Sequence, residues 1–467
     1  GLQPVQRACV GAAVAAACGR PAVFLCGDER EVQVLSADLE TLTGRRPVTL
    51  LGREWQFRPG AVGSRDWERS RLAALYALAQ GDAPVVVATA DGLMARTLPP
   101  ETLRSLAITL EVGGQAELGA LAEQLLSAGY TRCEQVEGVG QFALRGGILD
   151  VFSPLMDQPV RCEFFDDEID SMGTFDPGTQ RRTKNVTSAQ ILPAAEVLPH
   201  CAPGGLTGLA ERLEALAEKL AKKPKTEKTA QQQLRQDSEH FRTGAVPGGL
   251  DRYLAAVYPE VCTGVDYLPK DAVVFLCESG RVDERVKGML LQLKQDEESL
   301  LTAGLLAGEY ARLTLSGEEL YAALEEFPVV MEDTLPTSRH PLRPRGLMAV
   351  NAKQLSSYGG SLETAVSDLE HYRATGSAVL LLCAGEIRAN NLRHLLQERG
   401  IPAVLDLAGT AMPAPGEVRI TLGALTAGSE WPQLHLAVLT EGQLTATSAG
   451  KRQRVKKASN RQKIQSY

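Results

Sequence analysis

Ala272-Val273-Val274-Phe275-Leu276-Cys277-Glu278-Ser279-Gly280 is the stretch on which the fold turns. Six apolar residues run without alternation into a carboxylate and a Ser-Gly pair, the pattern of a strand buried on both faces and ending at a sheet edge. Ala22 to Cys26 and Pro84 to Thr89 are runs of the same kind. Around them lie an Ala-rich helix (Val5 to Cys18), an amphipathic helix opening at Asp28, a strand (Pro47 to Leu51) and a helix after Ser64. This is the βαβ rhythm of a parallel sheet. It returns later, with strands predicted at Ala378 to Cys383, Ala403 to Leu407, Val418 to Thr421 and Leu434 to Leu439. Aromatic residues are only 5% of the chain. An apolar content dominated by Ala, Leu and Val suits helices covering parallel strands, so the expected class is α/β.

A chain of 467 residues exceeds the size of a single hydrophobic core, and several domains follow. Residues 1–112 form a first α/β half. After the helix Ala116 to Ala128 the texture changes to short β-runs (Ile148 to Ser153, Val160 to Phe165, Ile169 to Phe175, Ala189 to Leu192), giving a β-rich insert over 113–192. A helical second half follows over 193–330. In it Leu206, Leu209, Leu213, Leu216 and Leu220 make one stripe, too short for a coiled coil and read as packing against its own domain. The Pro- and Arg-bearing stretch within 331–348 reads as a linker, 349–450 as a small α/β domain, and 451–467 as a basic solvated tether. Gly1 in place of Met, and a polar end at Tyr467, lead to the expectation of a longer parent.

The net charge of −8 argues against a surface built throughout for nucleic acid. Nine cysteines never form a C-x-x-C pair and sit mostly in apolar runs, which favours buried reduced thiols over disulfides or zinc. There is no membrane-length apolar run and no signal segment, so a soluble, cytoplasmic chain is expected. No metal site is expected either. The six histidines are scattered, and the acidic group Glu163, Asp166, Asp167, Glu168 and Asp170 lacks calcium-loop spacing and reads as a solvated hairpin face.

Nucleotide chemistry is where the chain departs from what its fold suggests. No G-x-x-x-x-G-K-[ST] run exists. Gly138-Val139-Gly140-Gln141-Phe142-Ala143 has glycine spacing for phosphate, but β-type sequence follows where a helix would have to offer its amides, so it reads as a turn between strands. At the end of the opening strand, helicase-like ATPases place Asp-Glu, the Asp holding magnesium and the Glu positioning water. Here Cys277 precedes Glu278, Ser279 and Gly280. A neutral thiol is a poor ligand for a hard cation, so these four residues read as a degenerate nucleotide site with no catalytic residue.

The insert carries the most specific sequence. It reads Gly140-Gln141-Phe142-Ala143-Leu144-Arg145-Gly146-Gly147-Ile148-Leu149-Asp150-Val151-Phe152, then Arg161-Cys162-Glu163-Phe164-Phe165-Asp166-Asp167-Glu168-Ile169-Asp170-Ser171, then Phe175-Asp176 and Thr179-Gln180-Arg181. This run closely resembles the second domain of the transcription-repair coupling factors and, more loosely, that of the repair protein UvrB. The resemblance implies a degenerate RecA/helicase-like domain split by the insert, then a small third domain. In UvrB the residues matching Cys277-Glu278-Ser279-Gly280 read Asp-Glu-Ser-His. In the family this module recruits the damage-recognition protein UvrA, and the matching residues are Arg145, Arg161 and Phe165, two planar cationic forks and an apolar anchor. It further implies that ATP, magnesium, RNA polymerase and DNA are engaged by a carboxyl-terminal translocase outside these residues. This chain is then a non-catalytic, cofactor-free, monomeric module. The competing readings are a UvrB-like or other helicase with a divergent nucleotide site, and a DNA-binding adaptor acting through the basic tail.

Overall fold

A computed structural model of the chain describes residues 1–58, 66–222, 228–335, 339–359 and 361–444; the basic block at 451–467 lies outside them. The chain separates into two compact units, one made of Gly11–Ser36 and Arg45–Gly346, the other of Gly1–Val10, Ala37–Gly44 and the chain from Leu347 onward. Among the described residues no helix is long and apolar enough to cross a membrane.

The larger unit begins with strands β1 (Ala22–Cys26), β2 (Val48–Leu50) and β3 (Val85–Thr89). Every residue of β1 and β3 is buried, as their unbroken apolar runs require. The chain then leaves this sheet for the insert. Strand β4 (Ile108–Glu111) is followed by the helix Leu118–Ser127 and by β5 (Thr131–Arg132), β6 (Gln141–Arg145), β7 (Ile148–Val151), β8 (Val160–Phe165), β9 (Glu168–Phe175) and β10 (Arg182–Asn185). These last six form a sheet in the order β10-β9-β8-β7-β6-β5, and β11 (Ser188–Ile191) returns to pair with β4. One face of the sheet supplies Phe142, Leu149, Val151, Val160, Cys162 and Met172 to a core closed by Leu121 and Leu125 of the helix. Leu110 and Ala194 belong to that core. The insert therefore starts and ends slightly outside the 113–192 read from sequence, because the partner of its last strand, β4, precedes the helix at which the change of texture was placed.

Its exit is fixed by charge. Glu196, fully buried, meets Arg53 Nη1 at 3.1 Å and Arg71 Nε at 3.0 Å, accepts from Thr97 Oγ1 at 2.6 Å, and donates its amide to Glu68 Oε1 at 3.1 Å. Burial opposes its charge, yet Arg71 and Arg53 together hold its carboxyl below the ordinary range.

Beyond it the helix Gly205–Ala221 buries Leu209, Leu213 and Leu216, with Leu206 and Leu220 packed at the margin of the same core, so the leucine stripe serves its own unit. Strands β12 (Val273–Cys277) and β13 (Val329–Glu332) then complete the first sheet in the order β13-β12-β1-β3-β2, parallel throughout. Phe24 and Phe275 lie side by side in this register and stack at 4.8 Å. Strand β13 takes in the first two residues of the stretch read as a linker.

In the smaller unit β14 (Lys353–Leu355), β15 (Ala378–Cys383), β16 (Ala403–Leu405), β17 (Val418–Leu422), β18 (Gly428–Trp431) and β19 (Leu436–Thr440) follow the order β14-β18-β19-β15-β17-β16. The four strands from β19 to β16 are parallel, and helices Leu362–Ala374 and Glu386–Glu398 contribute Leu369, Leu392 and Leu396 to the core. Two early segments that sequence assigned with the rest of 1–112 group here instead. Val5 packs with Leu382, Leu425 and Val438, and buried Asp38 accepts from the amide and hydroxyl of Thr426, each at 2.7 Å.

Candidate protein-binding site and the carboxyl edge of the parallel sheet

Strands β6 and β7 are joined by Gly146-Gly147, and Gly146 adopts the left-handed conformation (φ 59°) that a tight hairpin turn requires. The turn sets Arg145 opposite Ile148 and Ala143 opposite Asp150, and the next ladder sets Asp150 opposite Arg161. Because side chains alternate along a strand, Arg145, Asp150 and Arg161 share the sheet face turned away from the helix-covered core.

Asp150 is wholly buried. Its Oδ1 accepts from Arg161 Nε at 2.7 Å, and its Oδ2 accepts from Arg161 Nη2 at 2.8 Å and Arg145 Nη2 at 2.6 Å. Arg161 also lies over the Phe175 ring at 4.5 Å and reaches the Gln180 carbonyl and Oε1, both at 3.4 Å. The hydrogen bonds to Asp150 raise the Arg161 guanidinium above its ordinary pKa. Arg145 is 45% exposed and Arg161 19%. Phe165 closes β8 beyond a register irregularity between Glu163 and Phe164 and is 77% exposed, while Phe164 packs against the insert core. The structure thus gathers the two arginines on one carboxylate and leaves the aromatic ring in solvent. Asp150 is the member that sequence reasoning left out of the site. A lone acid inside Ile148-Leu149-Asp150-Val151-Phe152 was its available signal, since a buried carboxylate calls for a cation.

Asp166, Asp167, Glu168 and Asp170 are exposed around the β8–β9 turn. Among the described residues no group of His, Cys, Asp and Glu is arranged to hold a metal. Gly138 to Gly140 lead into β6, not into a helix. None of the nine cysteines is in a disulfide; five are buried, whereas Cys18 is exposed. Burial pushes the Cys162 thiol up to about 12.

The second site lies at the carboxyl edge of the parallel sheet. Cys277 ends β12 fully buried, opposite Glu332 of β13. Glu278 follows with a left-handed backbone (φ 57°) and accepts from the amide of Thr334 at 3.1 Å and from its hydroxyl. Ser279 donates its amide and hydroxyl to Asp333 Oδ1 at 2.7 and 2.9 Å, and Gly280 has open space around its Cα. In a nucleotide-binding sheet the loop after the central strand presents amides to phosphate. Here that loop is Gly27-Asp28, and its donors face carboxylates: the Gly27 amide donates to Glu31 Oε2 at 3.1 Å and the Glu31 amide to Asp28 Oδ1 at 2.8 Å. Arg281, the nearby cation, is paired with Asp28 at 2.8 Å. A cleft of about 470 Å³ includes Trp55, Asp91 and Met289, and both arginines lining it are paired, Arg53 with Glu196 and Arg285 with Asp91. The amides of the first loop and the Ser279 amide are thus engaged by carboxylates of the chain itself.

Residues 108–196 match the family model of the UvrB interaction domain, the limits at which β4 opens the insert and Glu196 anchors it. The transcription-repair-coupling factor of Bacillus subtilis (strain 168) is 29% identical over 474 aligned positions, covering the whole of this chain and 40% of that protein. Those of Staphylococcus haemolyticus (strain JCSC1435) and Staphylococcus aureus (strain MRSA252) are 29% and 28% identical over 85% of this chain and 34% of theirs. The chain therefore spans between a third and two fifths of the length of these relatives. Along its whole length the chain is similar to the transcription-repair coupling factors, and at 108–196 it matches the UvrB interaction domain.

Proposed function

We propose that this chain is the partner-recruiting module of a transcription-repair coupling factor and that its insert binds UvrA through Arg145, Arg161 and Phe165. The observation that carries the reading is Phe165: a large aromatic ring, 77% exposed, on a domain matched to the UvrB interaction family. Exposed aromatics and arginine forks are the chemistry of interface hot spots. Arg145, with more than two fifths of its side chain in solvent, offers the charge-assisted contact to a carboxylate. On this reading the α/β body is a non-catalytic scaffold that needs no nucleotide. The polymerase, the DNA and the ATP-driven translocation belong to the remainder of the parent protein, which works in the cytoplasm.

Titrating purified UvrA against the 467-residue chain tests the proposal. Arg145→Ala and Phe165→Ala should each weaken binding by about 2 kcal/mol, roughly thirtyfold, with the circular dichroism and melting of the free chain unchanged. Asp167→Ala, on the acidic turn, should change affinity little. Unchanged affinity in both the arginine and the phenylalanine variants would remove the assignment.

A further inference from the structure

The two arginines of the site differ in how much of each is available. Arg161 gives both its Nε and an Nη2 hydrogen to Asp150, stacks on Phe175, and spends its remaining reach on Gln180. Arg145 gives Asp150 one Nη2 donor only and keeps the larger share of its side chain in solvent. A guanidinium has five hydrogens in a rigid plane, so fixing one nitrogen against a buried anchor orients the others. The carboxylate that does the fixing carries one negative charge against two positive ones. The cluster is left with one net positive charge, displayed where Arg145 meets solvent.

We propose that Asp150 is a positioning residue for the binding surface: it holds the guanidinium of Arg145 in the orientation a partner carboxylate meets, with Arg161 bracing the same carboxylate. The inference rests on the reading of the insert as a UvrA-binding domain and assigns roles within that site. The physical gain is preorganisation. A free surface arginine loses rotamer entropy when it is captured, whereas one already tied to a buried anchor has lost part of it on folding. Arg161 completes the anchor by compensating a carboxylate that has no solvent around it, and Phe175 beneath Arg161 fixes the plane.

The measurement is a double-mutant cycle on the full chain with purified UvrA as the probe. Asp150→Asn keeps the shape and removes the charge that holds both guanidinium groups. It should weaken binding about tenfold, the worth of one charge-assisted hydrogen bond. In an Arg145→Ala background the same change should weaken binding less than about twofold, because the residue through which Asp150 acts is gone. A merely structural role would give the same loss in both backgrounds, and that result overturns the proposal, as does an Asp150→Asn chain that binds like the parent. Unchanged binding in Arg145→Ala and Phe165→Ala would instead take away the underlying site.

A second measurement needs no variant. Nitrogen-detected NMR of arginine Nε–H groups in the unmodified chain should show slow solvent exchange at Arg161 and fast exchange at Arg145. Equal, fast exchange at both would overturn the anchoring, whatever the Asp150 variant does to folding.

Discussion

Arg161 illustrates how far residue chemistry alone carries and where it stops. From sequence it stands level with Arg145 as an interface cation. In the fold it supplies two of the three hydrogen bonds received by a buried carboxylate. Arg161→Ala should therefore do two things that Arg145→Ala does not: lower the stability of the insert by about 3 kcal/mol, since a buried charge loses its main partner, and weaken UvrA binding indirectly. Chemical denaturation followed by insert-specific fluorescence or proteolysis would measure this, and a melting curve equal to the parent's would contradict it. The exposure of Phe165 was legible as chemistry but not as geometry. Phe164 and Phe165 are adjacent and identical in type, and only the irregularity in the β8–β9 ladder decides that the first packs inward and the second meets solvent.

Elements were legible in proportion to how much they depend on their own residues. Strands at Ala22–Cys26 and Ala378–Cys383 begin and end where their apolar runs do. Thr131–Arg132, Arg182–Asn185 and Lys353–Leu355 have no such run. They are strands because a neighbour offers a ladder, a condition no local window contains. The same holds for the anchor of the insert. Glu196 finds Arg53 and Arg71 more than a hundred residues earlier in the chain, so nothing near it announces a buried ion network. Glu196→Gln, which preserves shape and removes charge, takes the carboxylate from buried Arg71 and leaves Arg53 with Asp251 alone, and should cost about 3 kcal/mol in denaturant unfolding. A loss below about 1 kcal/mol would show that the anchor is dispensable.

For the whole molecule, the parallel sheet keeps the architecture of a ligand-binding α/β fold while its carboxyl edge is filled by side chains of the chain itself. Glu31 and Asp28 occupy the amides at the first loop, and Asp333 and Thr334 engage Ser279 and Glu278 after β12. Equilibrium binding of ATP with magnesium should therefore show no saturation over roughly 1 μM to 1 mM, the range in which enzymes usually hold substrates, and no turnover. Saturable binding with magnesium-dependent hydrolysis would revive the helicase reading. The absence of a phosphate loop was legible in the sequence. The carboxylates that replace it were not, because Asp28 and Glu31 look like ordinary residues of an amphipathic helix until the loop is seen to fold onto them.

The order of strands in that sheet, β13-β12-β1-β3-β2, also has a consequence for the chain while it is being made. Strands β1 to β3 leave the ribosome early, but the partner that covers the other side of β1 begins only at Val273. The insert, closed by β11 at Ile191 and supplied with its own core, is complete on the nascent chain first. For some eighty residues of synthesis, about four to sixteen seconds at roughly 5–20 residues per second, a finished domain stands on an unfinished host whose central strand presents an open row of backbone groups to solvent. The slow step of biogenesis then belongs to the scaffold, and a translational pause or a truncation between Ile191 and Val273 is where a chaperone would be needed most.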